Sequence, residues 1–166
     1  MPILQKQYDV ETNKFKEEIF DSVKKKVESQ KKSSSFLSFD LVDYRNFKLN
    51  TDQIEIERWP SMINPFRAIG TIWFDFYDLE GGTKIKCTIE PFSKFAILLW
   101  FGFMAFILTA FTLLAFLVVT ENHLKVYSVF LLIWILCLGF PFLILLYYRN
   151  ALEEYSRTIL SDLDIN

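Results

Sequence analysis

Residues 95–120 read FAILLWFGFMAFILTAFTLLAFLVVT and contain no charged side chain. The polar segment 121–125 follows, and residues 126–148 are again free of charge. Each run exceeds the roughly 20 apolar residues that a helix needs to cross the ~30 Å hydrocarbon core of a bilayer. So short a turn makes the two helices antiparallel neighbours. The sequence therefore predicts a transmembrane helical hairpin within residues 92–148.

The chain before this hairpin has the composition of a small soluble domain. Residues 1–94 hold 15 of the 18 Lys and Arg residues and 15 of the 20 Asp and Glu residues. A segment of about 90 residues can bury one folded core and is too short for two. The overall net charge of −2 lacks the basic footprint of a nucleic-acid-binding protein, so nucleic acid is not expected as a partner.

Two periodicities predict the fold of residues 1–91. Phe15, Ile19, Val23 and Val27 recur every four residues, which predicts a helix over residues 11–30 with Thr12 as its cap. The period then changes to two, predicting strands around 37–41, 47–49, 54–56, 72–76 and 85–89. Gly81 and Gly82 predict a tight hairpin between the last two strands.

The expected fold class is therefore α+β: an N-terminal helix packed on an antiparallel four- or five-stranded meander, then the transmembrane hairpin. The order of elements in residues 1–91 is similar to that of cystatin-like and helix-grip folds, a likeness of architecture that implies no function. In residues 149–166, Leu152, Tyr155, Ile159 and Leu163 recur at helical spacing. They predict a short cytoplasmic helical tail that packs on the domain or on another chain.

Positive charges near the crossings predict the orientation of the hairpin. Lys84, Lys86 and Lys94 precede the first run, and Arg149 and Arg157 follow the second, whereas the turn offers only Lys125. Loops rich in Lys and Arg remain in the cytoplasm. Both termini are therefore expected in the cytoplasm, on the inner membrane if the organism is bacterial.

Within the hairpin, small residues follow one line of the first helix. Gly102, Ala105, Thr109 and Thr112 allow close backbone approach, which predicts a helix–helix contact face. This face meets either the second helix or another copy of the chain. Gly139 and Pro141 predict a kink in the second helix, because proline cannot donate a hydrogen bond to the carbonyl of Cys137.

Two surfaces of the soluble domain are candidates for binding. An outward-facing set on the strands predicts a partner-binding surface, with burial against another strand, the linker or the bilayer as the alternative: Arg58, Trp73, Asp75, Tyr77, Lys84 and Lys86. Lysines on the helix predict contact with lipid headgroups, with a solvated face paired to acidic neighbours as the alternative: Lys24, Lys25, Lys26, Lys31 and Lys32.

No catalytic or metal-binding motif is recognisable. The single histidine, His123, has no neighbouring nucleophile in sequence, and Cys87 and Cys137 with it form no ligand set. We expect no enzyme activity and no cofactor. The favoured hypothesis is a non-enzymatic membrane protein whose cytoplasmic domain binds a protein partner and whose hairpin anchors or oligomerises it.

Two alternatives follow from other features of the chain. The small residues and the kink allow an oligomeric membrane effector or channel gated by the domain, although the crossings lack the ionisable groups that ion pathways usually need. An aromatic set allows the domain to bind a lipid or another small apolar ligand: Phe36, Phe39, Trp73, Phe74 and Phe76.

Overall fold

The computed structural model describes residues 4–32, 42–58, 69–92, 94–118 and 123–165. The chain forms two compact units. The first combines Met1–Pro91 with Tyr148–Asn166, and the second is Phe92–Tyr147. The chain therefore leaves the first unit to form the second and then returns to complete the first. The strand expected around 37–41 lies outside the described residues.

The first unit contains a five-stranded antiparallel sheet and two helical segments. Its elements up to residue 90 are strand β1 (Lys6–Thr12), helix α1 (Lys16–Lys32), a 3₁₀ turn (Tyr44–Asn46) and strands β2 (Phe47–Leu49), β3 (Gln53–Arg58), β4 (Gly70–Leu79) and β5 (Gly82–Glu90). The strand order is β1-β5-β4-β3-β2. The predicted α+β class is thus confirmed: β2 to β5 form the meander, and β1 adds an unpredicted strand beside β5.

Strand β1 corrects the predicted start of the helix. Residues 11 and 12 belong to β1, where Thr12 pairs with Thr83, so Thr12 does not cap α1. The helix begins at Lys16, and the carbonyl of Phe15 accepts hydrogen bonds from the amides of Glu18 and Ile19. The Phe15 side chain is 55% exposed, so it lies outside the core although it continues the spacing of the buried Ile19, Val23 and Val27.

The two faces of the sheet differ sharply in burial. One face, called the covered face, carries α1, which buries its apolar side. Residues two apart on a strand point to the same face, which assigns the buried side chains of β3, β4 and β5 to it: Ile54, Ile56, Ile72, Phe74, Phe76, Ile85, Cys87 and Ile89. The opposite face, called the open face, carries the alternate residues of every strand.

The C-terminal helix completes the core of the first unit. Helix α4 runs from Phe140 to Asp162, and its part from Tyr148 onward belongs to this unit. The predicted apolar stripe is buried, with Leu152 fully inaccessible to solvent and Ile159 1% exposed. These side chains share one hydrophobic cluster with the sheet and α1. The tail therefore packs on the domain of its own chain.

The second unit is the helical hairpin. Helix α2 (Lys94–Val118) is followed by α3 (His123–Trp134), a π-helical turn (Ile135–Gly139) and the start of α4. The π turn lies where Gly139 and Pro141 predict a kink, since a wider turn separates the proline ring from the preceding carbonyl. Within the part of the chain that the structure describes, two segments are long and apolar enough to cross a membrane: Ile97–Leu117 with mean hydropathy 2.3, and Tyr127–Asp162 with 2.9.

Candidate partner-binding face

The open face of the sheet is centred on an aromatic side chain. Trp73 of β4 is paired with Glu55 of β3 and with Thr88 of β5. Its indole is partly exposed, and Tyr77, four residues further along β4 on the same face, is 51% exposed. Aromatic side chains that a folded unit leaves accessible among polar neighbours are typical anchors of protein interfaces.

Carboxylates dominate the rest of the open face. Asp9, Glu11, Glu55, Glu57, Asp75 and Glu90 share it with only three lysines, Lys48, Lys84 and Lys86. Several of these groups already interact. Lys84 lies 2.8 Å from Asp9, Lys48 lies 2.7 Å from Glu57, and Gln53 donates to Asp75 at 2.7 Å. The hydrogen bond to Asp9 raises the pKa of Lys84. The face keeps a net negative charge.

Five of the six predicted surface residues lie together on this face, and one does not. The register groups Trp73, Asp75 and Tyr77 of β4 with Lys84 and Lys86 of β5. Arg58 pairs with Gly70 on the covered face, and its guanidinium carbon lies 3.6 Å from the ring centroid of Tyr155. Its place in the predicted set is wrong, because Arg58 has the same strand parity as the buried Ile54 and Ile56.

Known proteins give no further guide to this face. Comparison with them found no matching family model, no similar curated protein and no similar solved structure. Among the described residues, no group of three or more His, Cys, Asp or Glu side chains is arranged to hold a metal ion. What the open face offers chemically is an aromatic platform surrounded by anions, which suits a cationic partner.

A second group of polar side chains lies beneath the tail. The Tyr8 hydroxyl of β1 lies 2.6 Å from the hydroxyl of Ser156, which is fully buried. Burial raises the pKa of Tyr8 and raises that of the neighbouring Cys87 to about 11. A thiol with so high a pKa stays protonated and unreactive at neutral pH. The hydroxyl contact between Tyr8 and Ser156 joins the tail to the sheet.

Ion pairs join the tail to the rest of the first unit at two further points. The Lys6 ammonium lies 2.5 Å from the Glu153 carboxylate. At the other end, Asp162 accepts hydrogen bonds from Lys26 at 2.6 Å and from the Tyr44 hydroxyl at 2.5 Å. Sequence reasoning missed these contacts, although Glu153 and Ser156 follow helical spacing beside the apolar stripe of the tail.

We expect acid to weaken the docking of the tail. Hydrogen bonds, from Lys6 to Glu153 and from Lys26 to Asp162, lower the pKa of both carboxyl groups. A lowered folded-state pKa gives stability that is present above the unfolded pKa of about 4 and lost as the pH falls through the folded value. The thermal midpoint of the first unit should therefore fall as the pH is lowered from 6 to 3.

A double variant and a control variant separate the contribution of these two carboxylates from general acid unfolding. Replacing Glu153→Gln and Asp162→Asn together should lower the midpoint at pH 6 and flatten its dependence on pH. Asp164 is the control, because its side chain is 92% exposed, and Asp164→Asn should leave the slope unchanged. An identical slope in the double variant and the unsubstituted chain would contradict the prediction.

Of the small residues predicted to form a helix–helix contact face, only some contact the other helix of the hairpin. The indole nitrogen of Trp134 donates to the Thr112 hydroxyl at 3.3 Å, so Thr112 meets the second helix. Thr109 is exposed, and its hydroxyl donates to the carbonyl of Ala105 in its own helix. A methyl group added at Gly102 would meet no atom of the described residues within 4 Å.

The predicted lysine set on α1 is divided by its contacts. Lys26 is paired with Asp162 of the tail. Lys24, Lys25, Lys31 and Lys32 are exposed, whereas Ile19, Val23 and Val27 form the buried side of the helix. Four of the five lysines therefore form an accessible cationic surface, called the lysine patch below.

Proposed function

We propose that this chain is a non-enzymatic integral membrane protein that binds a cationic protein partner through the open face of its sheet. Residues 92–148 anchor the chain as a two-pass hairpin. The single observation that carries the proposal is the exposure of large apolar side chains along the hairpin. Leu117 is 84% exposed, Phe106 71% and Leu98 70%.

The extent of this apolar surface supports a lipid environment. Only 6% of the most apolar window of either segment is buried by the rest of the protein. Soluble monomers rarely expose a contiguous apolar patch larger than a few hundred Å². Each Å² of such surface costs about 25 cal/mol in water, and a bilayer removes that cost. Anchoring therefore gives these two helices an environment that matches their composition.

The division of the chain supports termini on a common side of the membrane. Segments before and after the hairpin belong to the same unit, so both ends of the hairpin begin from that unit. The segments that flank the hairpin contain more Lys and Arg than the turn does. This excess favours a cytoplasmic location for the first unit. In a bacterium, the membrane would be the inner membrane.

The chemistry of the open face defines the partner we propose. A lysine or arginine side chain stacked on Trp73 gains a cation–π interaction of about 0.5–2 kcal/mol, depending on how far it is desolvated. The carboxylates of Glu55 and Asp75, which neighbour Trp73 in the sheet, attract the same cation. The opposite charges of the two surfaces would speed association and orient the partner.

A photo-crosslinking experiment in native membranes tests this proposal. A photoreactive residue replaces Tyr77 on the open face, and a second variant carries it at Phe15, which is equally accessible but away from that face. We expect a discrete protein adduct at position 77 only, lost when Trp73→Ala is added. Trp73→Phe, which keeps a ring, should retain part of it. Equal adducts at both positions, or free monomer only, would overturn the proposal.

An oligomeric effector or channel is the second candidate function. The exposed Gly102 and Thr109 favour it, because small residues on an accessible helix surface allow the close approach of another copy. A channel would then be lined by hydroxyls and backbone, since residues 95–120 and 126–148 contain no Asp, Glu, Lys, Arg or His. Conductance across planar bilayers at high protein density is the result that would favour this candidate.

Ligand binding by the domain has less support. The aromatic set that suggested it is divided between the two faces of the sheet. Phe74 and Phe76 fill the covered-face core at 2% and 6% exposure, whereas Trp73 lies on the open face. Phe36 and Phe39 lie outside the described residues.

A further inference from the structure

The exposed side of α1 carries a cationic surface that the proposed partner-binding face does not use. Lys24 and Lys31 are seven residues apart, as are Lys25 and Lys32, so the lysine patch forms two parallel rows on the helix. At 1.5 Å per residue the patch is about 12 Å long. Glu28 is the one acidic residue among these lysines along the helix.

The other acidic residues of α1 lie in its N-terminal half. Glu17 and Glu18 are in its first turn, and Asp21 follows one turn later, whereas Lys31 and Lys32 are in its last turn. Lys26, the remaining lysine of the set, is paired with Asp162 and adds little to the patch. The C-terminal half of α1 is therefore locally cationic although the whole chain has a net charge of −2.

We propose that the lysine patch binds the anionic headgroups of the bilayer that holds the hairpin. This inference rests on the anchoring part of the proposed function. Charge complementarity selects the ligand, because a cluster of lysines attracts an anionic leaflet electrostatically. The choice of bilayer follows from the chain itself: the sheet ends at Glu90 and helix α2 begins at Lys94. So short a connection keeps the local concentration of headgroups high, which makes weak contacts effective.

The proposal gives the two surfaces complementary roles. Helix α1 packs on the covered face, so its exposed side points away from the sheet. The open face lies on the other side of the sheet. Binding of the lysine patch to headgroups would therefore direct the open face toward the aqueous compartment, where it is accessible to the partner.

Fluorescence quenching in lipid nanodiscs tests the contact with the full-length chain. A dye is attached to Ser29→Cys, which is exposed between the lysines, or to Gln7→Cys on the open face. Both are made in a Cys137→Ala background, and Cys87 is fully buried. A quencher is carried on headgroups, in discs of phosphatidylcholine with or without phosphatidylglycerol.

We expect quenching at position 29 in anionic discs that exceeds quenching at position 7. Raising the salt to about 1 M, where the Debye length is about 3 Å, should remove most of it. Changing the four patch lysines to glutamine should remove about half or more, since each lysine contributes to the attraction. The matched control changes Lys48, Lys84 and Lys86 to glutamine and should have no effect.

Four results would overturn the inference. They are absence of quenching at position 29, equal quenching at both positions, quenching that persists in the patch variant, and quenching only when the quencher is on separate anionic vesicles. The last result would indicate a membrane other than the one holding the hairpin. Failure of anchoring itself is distinguishable, because the chain would then not co-purify with the discs.

Discussion

A chain that ends at Asn150 is expected to lose the fold of the first unit. The truncation removes the buried apolar side chains of the tail, which complete the core over the covered face: Leu152, Tyr155, Ile159, Leu160, Leu163 and Ile165. At roughly 1.5–3 kcal/mol for each of the six buried apolar side chains, the loss is about 9–18 kcal/mol. This equals or exceeds the whole stability of a typical domain, about 5–15 kcal/mol.

Circular dichroism and limited proteolysis of the purified chains measure this loss. The truncated chain should show no cooperative thermal transition and should be cut rapidly within residues 4–90. A matched pair of point variants refines the test. Leu152→Ala should cost about 2–5 kcal/mol because it leaves a cavity in the core. Glu154→Ala, at the exposed side of the same turn, should change stability by less than about 0.5 kcal/mol. A truncated chain that keeps the full-length transition would contradict the prediction.

A charge placed in the middle of the first crossing is expected to prevent its insertion. Phe106 lies near the centre of Ile97–Leu117 and is 71% exposed. In a bilayer, Phe106→Arg should cost about 3 kcal/mol, which lowers the insertion equilibrium on the order of 100-fold. In water, the same change at an exposed position would alter stability by less than about 0.5 kcal/mol. The outcome therefore distinguishes a lipid-facing from a water-facing surface.

Flotation with vesicles and resistance to alkaline extraction measure the inserted fraction. Phe106→Leu is the matched control and should insert as the unsubstituted chain does, because leucine is as favourable as phenylalanine in the core of a bilayer. The arginine variant should appear mainly in the soluble or aggregated fraction. Equal membrane fractions for the two variants would mean that this helix surface does not face lipid.

Periodicity was enough to predict the main elements of the fold. The change from a period of four to a period of two separated α1 from β2 to β5, and the uncharged runs gave the hairpin. Strand β1 was missed although Tyr8 and Val10 alternate with Gln7 and Asp9. Strand β1 has few apolar positions, and its charged residues are followed directly by the lysine- and glutamate-rich helix. The last residues of the strand were therefore assigned to the helix.

The sequence predicted most residues of the open face but not all of them. Alternation along β4 placed Trp73, Asp75 and Tyr77 on a common side, as the register does. Arg58 does not belong to this face, because its strand parity matches that of the buried Ile54 and Ile56. The contacts of Tyr8 with Ser156 and of Tyr44 with Asp162 join residues more than 100 positions apart. Local patterns carry no information about such pairs.

The division of the first unit has a consequence for biogenesis. Its core needs residues from 152 onward, which the ribosome makes only after the whole hairpin. At about 5–20 residues per second, the 75 residues after Pro91 take on the order of 4–15 s to synthesise. During that interval the sheet lacks part of its covering and exposes apolar surface. Insertion of residues 92–147 into a membrane, as we propose, would therefore precede final folding. A nascent chain stalled in the hairpin would then be a substrate for chaperones or proteases.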